Sequence, residues 1–447
     1  MFRLGGLAPI FLLVASTLLF EMSHADDSDP KNVRWRMQRI LKEVSETVEK
    51  SFYNPKLNGV DWKAGVEVAR KRIDSADRTG EMVAAITGLV ARLNDSHTVF
   101  IPPGRTEHAV FGFNAKPFRD EVLVYHVMPK GPADAAGLLV GDRILAVNEF
   151  RATRDNIDMM MRYFGFLNPN RTLRLTISRI ENATQVITIE AELKSEFSKD
   201  FSHLYQAYVR EQRKELEPLA KDYGAGITYL RFPSFTISGH DAGSFVGKAK
   251  GARAVILDLR ENGGGRLETL EELTGHFVNE GGKLAECVGR EKTLPVEVKS
   301  RNPNITAPLF VLVDSHSASA SEMFARYIQI THRGKIVGDQ TSGRVNLARI
   351  VPGEVGTVYG IYYALEIAVA RVVMADGQGL EGRGVLPDEL CVPTNDDLRA
   401  ARDHCLDQAL GLARSGGSAE KRGDPQVSSK EPFTPALRAR AKYSSRP

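Results

Sequence analysis

The stretch 311–329, VLVDSHSASASEMFARYIQ, constrains this chain more than any other. A short β-rich run, 309–313, stops at a cluster of small hydroxyl residues, and a helix-compatible run with Glu322 near its first turn follows directly. A strand that turns sharply into a helix presents a hydroxyl at the helix N-terminus, where unpaired N–H groups stabilise a developing oxyanion. Ser315, Ser317, Ser319 and Ser321 are equally the residue type that caps helices and closes turns. On this segment alone, a nucleophile and a set of capping residues are even readings.

Upstream, 253–265 reads RAVILDLRENGGG, a buried-strand pattern that runs into a charged turn and three glycines. Such a turn lets backbone N–H groups approach a ligand closely. DLRENGGG, SASASE and IVGDQTSGR, in that order, resemble the tail-specific or C-terminal processing serine peptidases, and the resemblance spans about residues 30–395. It implies an α/β chain with a crotonase-like peptidase core, acting on protein or peptide substrates through an acyl-enzyme. Ser319, the middle serine of SASASE, falls where that family places its nucleophile. No metal or organic cofactor is implied.

The resemblance breaks at the expected base. These peptidases usually carry a lysine in a T-F-G-K-G motif, whereas this chain reads Thr341-Ser342-Gly343-Arg344-Val345. A guanidinium stays protonated at any usable pH and cannot accept the serine proton. Ile330 also stands where an acidic residue often follows the serine. A Ser–Lys dyad at these positions is excluded. A branch of the same superfamily, the tricorn-type peptidases, uses serine, histidine and glutamate instead. His97, in Leu93-Asn94-Asp95-Ser96-His97-Thr98, and Glu381, ahead of Gly384-Val385-Leu386-Pro387-Asp388, match that pattern.

An imidazole that takes the hydroxyl proton and a carboxylate that orients it complete the chemistry. The oxyanion is assigned to the N–H of Ala320 and to one of Gly263-Gly264, with Gly264 favoured. Arg344 becomes a substrate contact. Two other readings remain open: a catalytically inactive peptide-binding relative, and a carrier of apolar small ligands on the same fold. His332 and Lys335 are reserve bases, and Asp258, Arg260 and Asp388 read as bracing groups.

Between 105 and 195 the pattern turns to short strands. VMPKGPADAAGLLVGDRILAVN, at 127–148, resembles a PDZ domain, and Phe111-Gly112-Phe113 sits where such domains keep the loop that holds a peptide's terminal carboxylate. An extended peptide adds beside it as a strand. The alternating residues of 121–127 are expected to line the adjoining pocket. A PDZ fold that only positions or gates the core is the other reading.

These segments suggest a signal peptide at 1–25, a helical module at 26–104, a PDZ-like domain at 105–195, a core at 196–410 and a disordered basic tail at 411–447. The signal is Arg3, an apolar run over 4–20 and Ser23-His24-Ala25, which implies a periplasmic or secreted protein and no stable membrane span after cleavage. In the helical module Val33, Met37, Ile40, Leu41, Val44 and Val48 recur at spacings of mostly three and four. Further helices are expected within 65–73, 81–93, 267–278 and 320–330, and strands at 226–231, 253–259 and 309–313. The net charge of +3 is misleading, because residues 411–447 alone carry +5 and leave the body at about −2. A nearly neutral body gives no basic face for nucleic acid. Of three cysteines, Cys391 and Cys405 flank a helix-like run at 396–404. A bridge between them, with Cys287 free, and three reduced thiols are equal readings.

Overall fold

The computed structural model describes residues 30–103, 107–167, 169–179, 183–195, 217–356 and 361–415. The expected signal peptide, 1–25, and nearly all of the expected basic tail lie outside these residues. Helices α1 (Pro30–Ser51), α2 (Trp62–Ser75) and α3 (Thr79–Ala91) form the first module. The stripe predicted from the sequence is its inner face, with Met37, Ile40, Leu41, Val44 and Val48 all buried. The module does not stand alone. Strand β1 (Val99–Ile101) ends it by pairing into a sheet of the core, with Val99 opposite Glu366, and Tyr363 and Leu365 join its apolar cluster.

The second module contains β2 (Glu107–Val110), β3 (Phe113–Phe118), β4 (Glu121–Val127), α4 (Pro132–Ala135), β5 (Arg143–Val147), β6 (Phe150–Arg151), α5 (Ile157–Arg162), β7 (Thr172–Arg179), β8 (Ala183–Glu190) and β9 (Glu192–Ser195). Its main sheet runs β3-β4-β5-β7-β8. Strand β4 is therefore paired on both sides, and its Val122 and Val124 lie in the module core rather than lining a pocket. Its two edge strands are β3 and β8.

The core is built on β10 (Leu219–Asp222), β11 (Ile227–Arg231), β12 (Ala254–Asp258), β15 (Leu309–Val313), β16 (Gly334–Gly338) and β19 (Glu389–Leu390), in that order across the sheet. All but β10 run parallel. Strands covered on both faces read as continuous apolar runs, and every residue of β12 and β15 is buried. The two-residue period sorts them cleanly. Val255, Leu257, Leu309, Val311 and Val313 face one cluster, with helices α6 (Gly239–Val246), α7 (Leu267–Gly275) and α8 (Ala320–Ile330). Ala254, Ile256, Phe310 and Leu312 face the other, under the terminal helix.

A second core sheet, absent from the sequence reading, joins β13 (Gly282–Gly289), β14 (Thr293–Val298), β17 (Leu347–Val355) and the long β18 (Ile361–Met374) to β1. The helix-like run at 396–404 is two elements, α9 (Asn395–Arg399) and α10 (His404–Arg414). The chain turns between them through Ala401 at φ 51°, and α10 continues past residue 410. Cys391 and Cys405 form a disulfide, and Cys287 is free and buried. Among the described residues no helix is long and apolar enough to cross a membrane.

Candidate active site

Three neighbouring parallel strands, β12, β15 and β16, deliver their C-terminal loops to one place, as open α/β sheets do at their ligand sites. The loop after β15 resolves the four serines. Ser315 Oγ donates to Pro117 O at 2.7 Å, Ser317 Oγ to Leu259 O at 2.8 Å and Ser321 Oγ to Asn262 O at 2.9 Å. Those three are bracing hydroxyls. Ser319 is the N-cap of α8, and among the described residues its hydroxyl donates to no other group. Its φ of 56° and ψ of −117° form a tight strand-to-helix turn of the kind that projects a nucleophile.

The loop after β12 packs onto this turn. Gly264 sits at φ +94°, and a Cβ there would lie 2.6 Å from Ser319 Cβ, so only glycine fits. Buried Asn262 organises the contact: its carbonyl accepts from Ala318 N–H at 3.0 Å, and its side-chain oxygen accepts from Gly264 N–H at 2.9 Å. This corrects the expectation for the oxyanion donor, because the Gly264 N–H is already committed. Among the described residues the N–H groups of Gly263 and Ala320 have no partner, and Gly263 is exposed.

The loop after β16 closes the third side. Ser319 N–H donates to Arg344 O at 2.7 Å and to Glu322 Oε2 at 3.0 Å. Glu322, fully buried, also accepts from Thr341 Oγ1 at 2.6 Å, Gly343 N–H at 2.7 Å and Arg344 N–H at 3.0 Å. Burial pushes its carboxyl up to about 7 against the pull of these donors. Sequence reasoning gave Glu322 no role beyond its place in the first turn. It is the hub joining the serine turn to the Thr341–Arg344 loop. The Arg344 guanidinium makes no ion pair among the described residues.

His97 and Glu381 meet at the same loop. The His97 Nδ1 lies 3.0 Å from Ser96 Oγ, and its backbone N–H donates to Asp95 Oδ1 at 3.0 Å. Glu381 accepts from the N–H groups of Ser96 at 3.2 Å, Val345 at 2.9 Å and Asn346 at 3.1 Å. It thus binds the backbone beside His97 rather than the ring. Asp95, whose carboxyl burial raises, ties the same two loops through Asn346 Nδ2 at 2.8 Å. Among the described residues His97 and Ser319 share no hydrogen bond.

The second module lies against these loops. Lys116 of β3 is buried between Glu261 and Asp314, with its ammonium 2.7 Å from Asp314 Oδ2 and over the Tyr125 ring. Burial disfavours the Lys116 charge, but the two carboxylates hold its pKa above the usual lysine value. His316 bridges Glu261 at 2.7 Å and Asp158 of α5 at 3.3 Å. Burial opposes its charge too, yet these two acids push it up to about 10. Arg154 and the Arg119 N–H both reach Asp339. In the predicted carboxylate loop, Gly112 takes φ +75° where a Cβ would strike Pro132, and Phe111 and Phe113 are buried in the module core. Only the backbone of that loop is left for a ligand.

Residues 226–391 match the family model of peptidase family S41, and residues 109–191 match that of the PDZ domain. The chain is thus similar to peptidase family S41 over its core. It is similar to the chloroplastic carboxyl-terminal-processing peptidase 1 of Arabidopsis thaliana, 24% identical over 414 residues, which are 85% of this chain and 76% of the relative. The tail-specific protease of Haemophilus influenzae is 25% identical over 324 residues, 66% of this chain but 44% of that longer protein. Among solved structures, mature CPAF superposes with a TM-score of 0.65 at 14% identity, over 86% of this chain and 98% of that one. The photosystem II D1 C-terminal processing protease gives 0.50 at 20% identity, with the same coverage. These likenesses support the expected fold: a peptidase core of this family carrying a PDZ domain.

Proposed function

We propose that this chain is an exported serine peptidase of family S41 that cleaves protein substrates with Ser319 as nucleophile, His97 as general base and Glu381 as the group that fixes the His97 loop. The observation that carries this reading is the serine turn, in which three hydroxyls donate to backbone carbonyls and brace the fold while, among the described residues, the Ser319 hydroxyl at the start of α8 donates to none. Ser319 attacks the scissile carbonyl, His97 receives its proton, and the same imidazolium then protonates the leaving amine. The oxyanion is received by the N–H groups of Ala320 and Gly263, since that of Gly264 is held by Asn262. Glu381 acts through the Ser96 backbone rather than through the ring.

Arg344 contacts substrate, and the loop Phe111-Gly112-Phe113 receives a chain's terminal carboxylate beside the edge strand β3. Residues 1–25 direct export to the periplasm or beyond. The test is turnover of an unfolded protein. His97→Ala is expected to lose on the order of 10²–10⁴-fold, the range of a general base, and Arg344→Ala much less. The reverse ranking would sink the assignment. A purified protein that binds peptides and turns over none would favour the non-catalytic reading.

A further inference from the structure

Arg260 is the second residue after β12 and lies two residues before Asn262, whose carbonyl and side chain set Ala318 and Gly264 against Ser319. Its guanidinium is held from two sides. Asp258, at the end of β12, accepts from Nη2 at 2.6 Å and is itself anchored by Tyr229 Oη at 2.8 Å. Asp403 grips the other side in a parallel fork, Oδ1 on Nη1 at 2.8 Å and Oδ2 on Nη2 at 2.7 Å. Asp258 belongs to the sheet, whereas Asp403 comes from the short connection between α9 and α10, 143 residues away.

That connection is fixed covalently. Asp403 caps α10 by accepting from Leu406 N–H at 3.0 Å, and Cys405, in the first turn of the same helix, is bonded to Cys391. Cys391 donates its N–H to Gly338 O at 2.8 Å, at the end of β16. The disulfide therefore ties the Asp403 turn to one catalytic strand while Asp403 grips the loop of another.

We infer that Asp403, held in place by the Cys391–Cys405 disulfide, is a positioning residue that sets the oxyanion loop through Arg260. The Asp403 side chain is 42% exposed and that of Arg260 is 23% exposed, so the pair adds little to global stability. Its effect falls on loop geometry. A dithiol reductant reverses it: one thiolate attacks a sulfur of the bridge, the second closes the reductant's ring, and two electrons and two protons leave Cys391 and Cys405 as thiols.

The inference rests on Ser319 as nucleophile. The experiment compares the full chain with Asp403→Asn, Asp403→Glu and Cys391→Ser/Cys405→Ser on a quenched peptide. Asp403→Asn is expected to lower kcat by about tenfold with KM unchanged, because the oxyanion exists only in the transition state. Outright loss of a donor costs about 10²–10³-fold. Asp403→Glu, still a carboxylate, restores most of the rate. A dithiol lowers wild-type kcat toward the Asp403→Asn value at unchanged circular dichroism and leaves the double-serine variant unaffected.

Equal kcat for wild type and Asp403→Asn would overturn the inference, as would kcat loss that only tracks unfolded protein. If the double-serine variant does not fold, reduction of folded wild type decides: full thiol titration with kcat intact overturns it. Failure of the underlying reading looks different, as a wild type inert to fluorophosphonate.

Discussion

Replacing Gly264 by alanine tests the packing on which the nucleophile depends. The added Cβ falls 2.6 Å from Ser319 Cβ, 2.8 Å from Ala318 O and 3.0 Å from Ala320 N. Comfortable carbon–carbon contact begins at about 3.5 Å, so Ser319 or the glycine loop has to retreat by roughly 1 Å. The φ of +94° adds strain for any residue with a Cβ. Strain and overpacking together cost on the order of 2–4 kcal/mol of stability. A misplacement of about 1 Å at a catalytic group costs on the order of 10²-fold in rate.

Gly88, in α3, is the internal control. A Cβ there meets nothing within 4 Å, and its φ is not positive. Steady-state turnover of an unfolded protein at saturating concentration, with circular dichroism to confirm folding, is expected to fall about a hundredfold for Gly264→Ala. Gly88→Ala should stay within about twofold of wild type. Near-wild-type turnover by Gly264→Ala, or equal damage from both, would refute the reasoning.

Lys116→Met removes the cation shared by Glu261 and Asp314, and breaking such a buried arrangement costs about 3–5 kcal/mol of PDZ docking. Faster hydrogen exchange at 113–118 and 314–317 is expected, and unchanged exchange counts against the contact. His316, which Asp158 and Glu261 push up from 6.5 to about 10 against its burial, gives the folded, docked state a contribution that is complete below about pH 6.5. That contribution is lost as pH rises through about 10; His316→Asn should flatten the pH dependence of exchange protection. Ser317→Ala strands the Asp314 N–H and leaves the Leu259 carbonyl with only its bond from Asn262 N–H, at a cost of about 1–3 kcal/mol read by denaturant titration. Amidating a peptide's C-terminus should weaken its binding to Ser319→Ala protein by about ten- to a hundredfold, the worth of a charge-assisted hydrogen bond. Equal binding of acid and amide would leave the PDZ domain as a gate.

What the sequence made legible was whatever a local period or a dense motif encodes. Strand 309–313 and helix 320–330 appear at the predicted bounds, because an all-apolar strand and a small-residue turn need only local information. The sheet containing β13, β14, β17 and β18 was missed, since its partners lie far apart in the chain and its pattern is mixed. Two site features were equally hidden. Glu322 read as an ordinary first-turn acid, and only folding brings Thr341, Gly343 and Arg344 onto it. The Gly264 N–H looked free until the Asn262 side chain reached forward two residues to accept it. The turn at Ala401 broke a helical period that composition alone would continue, and it is this turn that brings Asp403 to Arg260.

The central claim is that Ser319 is an activated nucleophile served by His97. Stoichiometric labelling by a fluorophosphonate probe, with the adduct mapped by peptide mass spectrometry, tests it directly. Labelling confined to Ser319 in wild type, and slowed by on the order of 10²-fold or more in His97→Ala, is expected. Absence of an adduct on folded wild-type protein, or equal labelling of the His97→Ala variant, would contradict it.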